Sequence, residues 1–196
     1  MGRLQNKIAI VTGAGSGFGE AIARGFVAEG ATVLVADIAI ASGQRVVEEI
    51  NRKGRPSCGE AIFIELNVTK REDWERGLEL ATAKFGRLDI VVNNAGTTYK
   101  KQPTMDVSEA DFDKVVAVNM KSIYLSVAVI MPYFVERNSG VFLNTSSVGG
   151  MRARGVSIDI LVENDLSMMK RMKVTKHHSK GPSILRRHER LREHGG

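Results

Sequence analysis

The 196-residue sequence predicts an α/β fold: a doubly wound, incomplete parallel sheet of about five strands with helices on both faces. Three observations lead there. Five short apolar runs rich in β-branched residues recur between residues 7 and 143, the pattern of strands buried on both faces. The segments between them carry apolar residues at helical spacing. A glycine-rich turn joins the first run to the first helical segment. Buried strands that alternate with amphipathic helices pair in parallel through right-handed crossovers.

The first strand is Lys7 to Val11, closed by Thr12-Gly13. A helix over Gly17 to Glu29 follows, with Ile22 and Phe26 one turn apart. Thr32 to Ala36 is the second strand, stopped by Asp37, and Gln44 to Lys53 places Val46, Val47 and Ile50 on one helical face. Ala61 to Ile64 is the third strand. Thr69 and Glu72 have capping-box spacing, and Trp74, Leu78, Ala81 and Phe85 then repeat along a helix. Asp89 to Val92 is the fourth strand. A long helix starts at Ser108, with Asp111 at the capping-box position, and runs to about Met131; Val141 to Leu143 is the fifth strand.

Composition narrows the class. A single cysteine, Cys58, excludes an internal disulfide framework and any multi-thiolate metal site. The longest uninterrupted apolar run, Val127 to Met131, is too short to cross a bilayer, and no charged-then-apolar leader opens the chain. A cytoplasmic protein is expected. The net charge of +6 is unevenly spread: residues 1–155 hold 19 Lys and Arg against 17 Asp and Glu, residues 156–196 hold 9 against 5. All four histidines lie in that second part, and all eleven aromatic residues in the first. Two kinds of sequence meet near Gly155. The expected organisation is a domain over 1–155 and a divergent basic tail over 156–196, disordered or weakly helical, with a short helix near Ser167 to Lys173.

Two motifs point to a dinucleotide. Gly13-Ala14-Gly15-Ser16-Gly17-Phe18-Gly19 closes a strand and opens a helix, the context of a Rossmann-like phosphate turn. There Gly13 makes the tight turn, Gly17 admits the pyrophosphate to the backbone, Gly19 lets the helix approach the strand, and the helix N-terminus supplies N–H groups and its dipole. A purely structural turn is the competing reading. Asp37 ends the second strand, where a carboxylate accepts hydrogen bonds from both adenosine-ribose hydroxyls and repels a 2′-phosphate; neither Ser16 nor Ile38 offers that phosphate a cation. NAD is therefore favoured over NADP, against the plainer alternative of an Asp capping a loop. Asn119 sits among Val115, Val116, Val118 and Ile123, so it points inward and needs partners.

With these residues in place, residues 5 to about 155 resemble the short-chain dehydrogenases/reductases. Thr12-Gly13…Gly17-Phe18-Gly19 matches the family's glycine motif, and Asn93-Asn94-Ala95-Gly96 matches the segment that braces the sheet and lies along the cofactor. Asn67-Val68 matches the adenine-contacting pair, with Asn where the family usually has Asp. The resemblance implies that Asn119 holds a water of the proton relay, or else is a structural Asn bonded to main chain. It implies that Ser147, in Asn144-Thr145-Ser146-Ser147, hydrogen-bonds the substrate carbonyl, or else merely closes a strand. The implied activity is hydride transfer between nicotinamide and a carbonyl or secondary alcohol.

The pattern then breaks. The family's general acid/base Tyr and its Lys four residues on should stand at positions held by Ile160 and Asn164. Tyr99, Tyr124 and Tyr133 all precede Ser147, and none has Lys four residues later. The expectation is a catalytically inactive, truncated form whose tail is retained-intron or frame-shifted translation. The alternative is a non-catalytic nucleotide-binding protein that pairs with itself or with a full-length relative through the helix over 108–131. A sheet stopped after the fifth strand would expose an unpaired edge. The tail's Arg186, Arg187, Arg190 and Arg192 lack aromatic partners for bases, and His177-His178 lack zinc spacing, so neither nucleic acid nor a metal is expected.

Overall fold

Alternate residues of the first strand enter opposite layers of the core, and this pleat organises the molecule. The computed structural model describes residues 2–52, 59–100 and 102–146, and the backbone of a further strand at Lys170–Lys173. Strands β1 (Ile8–Thr12), β2 (Thr32–Asp37), β3 (Ala61–Glu65), β4 (Ile90–Asn93) and β5 (Val141–Asn144) are parallel, in the order β3-β2-β1-β4-β5. Helices α1 (Gly17–Ala28) and α2 (Ile40–Arg52) cover one face. There Ile22, Ala23, Val27, Val46 and Ile50 meet Ala9, Val11, Val33 and Val35. On the other face α3 (Arg71–Phe85) and α5 (Ser122–Glu136) bring Trp74, Leu125, Ile130 and Phe134 onto Ile8, Ile10, Leu34 and Val91. Phe134 and Phe142 meet edge-on at 5.2 Å between ring centroids.

The expected strands all form, with β1, β4 and β5 shifted or extended by one residue and β2 and β3 each one residue longer. Helix α2 begins at Ile40, ahead of the expected Gln44; the Asp37 carboxylate takes the Ala39 N–H at 2.9 Å and starts it early. The capping box at Thr69 does not form. Thr69 donates its hydroxyl to the Asn67 side-chain oxygen at 2.7 Å, and α3 starts at Arg71 without a side-chain cap. The Ser108 cap does form, its Oγ accepting the Asp111 N–H at 3.1 Å and donating to the Asp111 carboxylate at 2.8 Å.

The helix that Ser108 caps has three parts: α4 (Glu109–Val116), one π turn (Ala117–Lys121) and α5. It continues past Pro132 and stops where Asn138 turns left-handed (φ 51°) and the Ser139 N–H reaches the Phe134 carbonyl. Glu109–Glu136 has the length and mean apolarity of a bilayer span. Its fully buried Ile130 and Phe134 instead identify a core helix packed on α3 and β4.

Two expectations are corrected by β6 (Lys170–Lys173). A helix was expected near Ser167 to Lys173, and β5 was expected to be an open edge; β6 is a strand and pairs antiparallel with β5, Asn144 opposite Lys170 and Val141 opposite Lys173. The exposed N–H and C=O row of a parallel edge strand accepts an extended segment in either direction, and local helical propensity yields to it.

Candidate functional site

Because β1 and β4 are neighbours whose crossovers leave on opposite faces, the loops after them part and open a crevice at the strands' C-terminal ends. A cleft of about 440 Å³ lies there. Every residue that the sequence assigns to a cofactor lines it: Gly13, Ser16, Gly17, Phe18 and Gly19 after β1, Asp37 after β2, Asn67 and Val68 after β3, and Asn94, Ala95 and Gly96 after β4.

The glycine turn shows why its residue types are needed. Gly17 is left-handed (φ 55°), and a Cβ there would meet nothing within 4 Å, so the first turn of α1 opens onto free space. Gly19 is the opposite case. A Cβ on it would lie 2.2 Å from the Gly13 carbonyl oxygen and 2.6 Å from Asn94 Nδ2, so only glycine lets α1 sit this close to β1. Ser16 caps α1 in extended conformation without a side-chain bond, and Phe18 stays 41% exposed beside the cleft.

Asp37 is held by main chain at both oxygens: Oδ2 accepts the Gly15 N–H at 2.8 Å and Oδ1 the Ala39 N–H at 2.9 Å. The carboxylate is thereby aimed at the cleft with lone pairs to spare. The Asn67-Val68 wall is fixed from below. Buried Asp73 accepts the Asn67 N–H at 2.7 Å, and the fully buried Trp74 indole donates to the Val68 carbonyl at 3.0 Å. Asn67 Oδ1, the atom expected to face adenine, accepts from Thr69 N–H and Oγ1 at 3.0 and 2.7 Å. Its side chain is thus committed to the turn.

Thr12 ties the two central loops together. Its hydroxyl donates to the Val92 carbonyl at 3.1 Å and accepts the N–H groups of Asn94 and Ala95, each at 3.0 Å. Asn94 returns the contact, donating Nδ2 to the Thr12 carbonyl at 2.9 Å. Asn93 donates to the Asn144 side chain at 2.8 Å, while its own Oδ1 is buried without a partner among the described residues. Asn119 points inward as expected and does not line the cleft. It sits in the π turn, 8% exposed, and exchanges two bonds with Thr97: Oδ1 accepts the N–H at 2.8 Å and Nδ2 donates to the C=O at 2.9 Å. This is the main-chain bonding of the structural alternative. Ser147, the Ile160 and Asn164 positions, and the basic tail apart from β6 lie outside the described residues.

Sequence reasoning missed Leu66, Thr97, Lys114 and Val118 as cleft residues. It also missed the supporting roles of Thr12, Asp73 and Trp74. A charged residue at a helix start directly before a core tryptophan was a usable signal for Asp73; nothing local marked Lys114.

The family model for short chain dehydrogenases matches residues 7–160. The chain belongs to that family. Its relatives include the 4-formylbenzenesulfonate dehydrogenase of Comamonas testosteroni, 43% identical over 149 residues, and the 3-oxoacyl-[acyl-carrier-protein] reductase of Thermotoga maritima, 36% identical over 149 residues. Each match covers 76% of this chain and 58% of the relative. Among solved structures, the 3-ketoacyl-(acyl-carrier-protein) reductase of Brucella melitensis complexed with NADH aligns with a TM-score of 0.71 at 37% identity, covering 78% of this chain and 62% of that one. The chain thus spans somewhat over half the length of the family members it matches.

Proposed function

We propose that this chain is the NAD-binding portion of an oxidoreductase acting on a carbonyl or secondary alcohol, and that as written it binds NAD without transferring hydride. The observation that carries the reading is the pinned Asp37 carboxylate at the end of β2, facing the same cleft as the open first turn of α1. The residues suit the group. N–H groups from Ser16 to Gly19 take the pyrophosphate, Asp37 takes the adenosine ribose, and the Asn67–Val68 wall packs against the adenine. Asn94, Ala95 and Gly96 wall the path toward the nicotinamide, whose C4 supplies or accepts the hydride in the family reaction. Asp37 without a cation at Ser16 or Ile38 supports NAD over NADP. Ile160 and Asn164 in place of the Tyr and Lys support the loss of chemistry; in a full-length form Ser147 would hold the substrate carbonyl. A cytoplasmic location belongs to the same proposal.

Titration calorimetry of the purified 196-residue chain with NAD tests it, with Asp37→Ala and the shape-retaining Asp37→Asn as controls. Binding that Asp37→Ala abolishes and Asp37→Asn weakens supports the reading. Absence of binding in a folded chain, or binding indifferent to residue 37, refutes it. A hydride-transfer rate above background with aldehyde or cyclic alcohol substrates would refute the inactive part alone.

A second reading has its own observation. Phe112, Met120 and Tyr124 stay 49%, 62% and 64% exposed on α4, the π turn and α5, an apolar stripe suited to another copy of the chain or to a full-length relative. Light scattering that finds a dimer, lost in Met120→Asp/Tyr124→Asp, supports pairing through this face; a wild-type monomer up to high concentration refutes self-pairing.

A further inference from the structure

Four charged side chains close a ring between α1 and α2, and one of them reaches the glycine turn. Arg24 donates Nη2 to Glu20 at 2.7 Å and to Glu49 at 2.6 Å. Arg45 donates Nη2 to the other oxygen of Glu20 at 2.8 Å and Nη1 to the other oxygen of Glu49 at 3.1 Å. Each carboxylate thus bridges two guanidiniums, and the ring joins α1 to α2 with no net charge. Arg45 does one thing more: its Nη2 donates to the Gly15 carbonyl at 3.2 Å. Gly15 is the residue whose N–H holds the Asp37 carboxylate at 2.8 Å. A Cβ on Gly15 would lie 2.8 Å from that carboxylate and 3.2 Å from Ser42 Cβ, so strand end, glycine turn and α2 are in contact there. One glycine therefore carries the ribose-facing carboxylate on its N–H and a guanidinium on its C=O.

A guanidinium in that position is what a 2′-phosphate on the adenosine ribose would recruit. In this chain it is already engaged. Both protons of Nη2 go to Glu20 and Gly15, Nη1 is on Glu49, and moving the group toward a ligand would break two charge-assisted bonds. We propose that Glu20 and Glu49 are specificity-determining residues of the adenosine end: by holding Arg45 they withhold a cation from the 2′ position and, together with Asp37, select a dinucleotide with a free 2′-hydroxyl. The proposal rests on the reading of the cleft as a dinucleotide site and extends the discrimination from one carboxylate to a charge ring that touches neither ribose nor phosphate.

The test uses two probes that carry only the adenosine half, ADP-ribose and 2′-phospho-ADP-ribose, titrated into the full chain by calorimetry at low and at physiological salt. Glu20→Gln/Glu49→Gln keeps the side-chain shapes and frees the guanidinium. The expected result is a gain for the 2′-phosphate probe of about five- to tenfold at low salt, smaller at higher salt, with ADP-ribose changed less than twofold. Adding Arg45→Met to that double variant should erase the gain, which a merely structural ring would not predict. Circular dichroism checks folding; should the double variant fail to fold, Glu49→Gln alone, which leaves Arg24 on Glu20, should give about a two- to threefold gain. An unchanged ratio of the two affinities, or a gain that survives Arg45→Met, overturns the proposal while the dinucleotide reading stands. Failure of ADP-ribose to bind the wild-type chain overturns both.

Discussion

Replacing Thr12 with Val is the sharpest test of how the cleft is held open. Valine has the shape of threonine, and the site is 1% exposed, so packing is retained and only the hydroxyl is lost. That hydroxyl has three partners: the Val92 carbonyl at 3.1 Å and the N–H groups of Asn94 and Ala95 at 3.0 Å. Asn94 is itself 5% exposed, so water cannot readily replace the missing acceptor. A buried backbone group left without a partner costs about 1–3 kcal/mol. With two N–H groups orphaned and partial relaxation, Thr12→Val should lose about 2–4 kcal/mol, a large share of an ordinary domain's stability. Thr12→Ser keeps the hydroxyl and removes one methyl, for about 1 kcal/mol. Urea unfolding followed by circular dichroism measures both, provided the slope with denaturant is unchanged. NAD titration should weaken in the Val variant, because Asn94 to Gly96 lose their anchor. A Thr12→Val loss below about 1 kcal/mol, or one no larger than that of Thr12→Ser, would refute the claim that this hydroxyl bridges β1 to the loop after β4.

Other expectations follow from the same geometry. Gly19→Ala forces a methyl onto the Gly13 carbonyl and the Asn94 amide and should cost about 2–4 kcal/mol in urea unfolding, while Gly17→Ala, strained only by its left-handed backbone, should cost about 1–2 kcal/mol. Asp73→Ala frees the Asn67 N–H and should weaken binding of ADP-ribose more than that of a nicotinamide mononucleotide fragment; equal weakening by calorimetry would count against a local effect. The Arg45 hydrogen bond holds the Glu20 carboxyl below its usual 4.5, and Arg45 with Arg24 does the same for Glu49. Since both folded-state values are depressed, the stabilisation is complete above about pH 5 and is lost as the pH falls through those lower values. Urea midpoints between pH 6 and pH 3 should therefore fall more steeply for wild type than for Glu20→Gln/Glu49→Gln.

The strands and most helices were legible because each obeys a local rule. Ile8 to Val11 is apolar throughout because both faces are covered, and Ser108 caps its helix by accepting the Asp111 N–H. Thr69 had the same spacing and failed, because the Asn67 amide oxygen, two residues back, claimed its N–H and hydroxyl. A tertiary need to fix the turn after β3 outbid a local cap. The cleft wall was legible from the order of glycines, Asp37 and the Asn93-Asn94 pair. Its supports were not, since Thr12, Asp73 and Trp74 act across 82 or 6 residues through main-chain groups that no side-chain pattern records. The π turn was hidden for a similar reason. One extra residue in the helical repeat leaves the apolar spacing nearly intact, yet it brings Asn119 onto Thr97, the residue after the Asn94–Gly96 wall.

These supports share a design that bears on what the chain can do by itself. Each cleft-lining segment is tied to a neighbouring element by hydrogen bonds that involve no ligand: Gly15 to Asp37, Asn94 to Thr12, Asn67 to Asp73, Thr97 to Asn119. A wall prearranged in this way would lose little conformational entropy if it binds a ligand. All of these ties lie within residues 12–119, in β1 to β4 and the helices that follow them. On the proposed reading, adenosine recognition depends on a part of the chain that contains neither Ser147 nor positions 160 and 164. The proposed binding is thereby separable from the family chemistry: a substitution in the ties should change dinucleotide affinity, whereas placing Tyr and Lys at 160 and 164 should leave that affinity's adenosine component unaltered. A change in ADP-ribose binding on Ile160→Tyr/Asn164→Lys would show that the two halves are coupled after all.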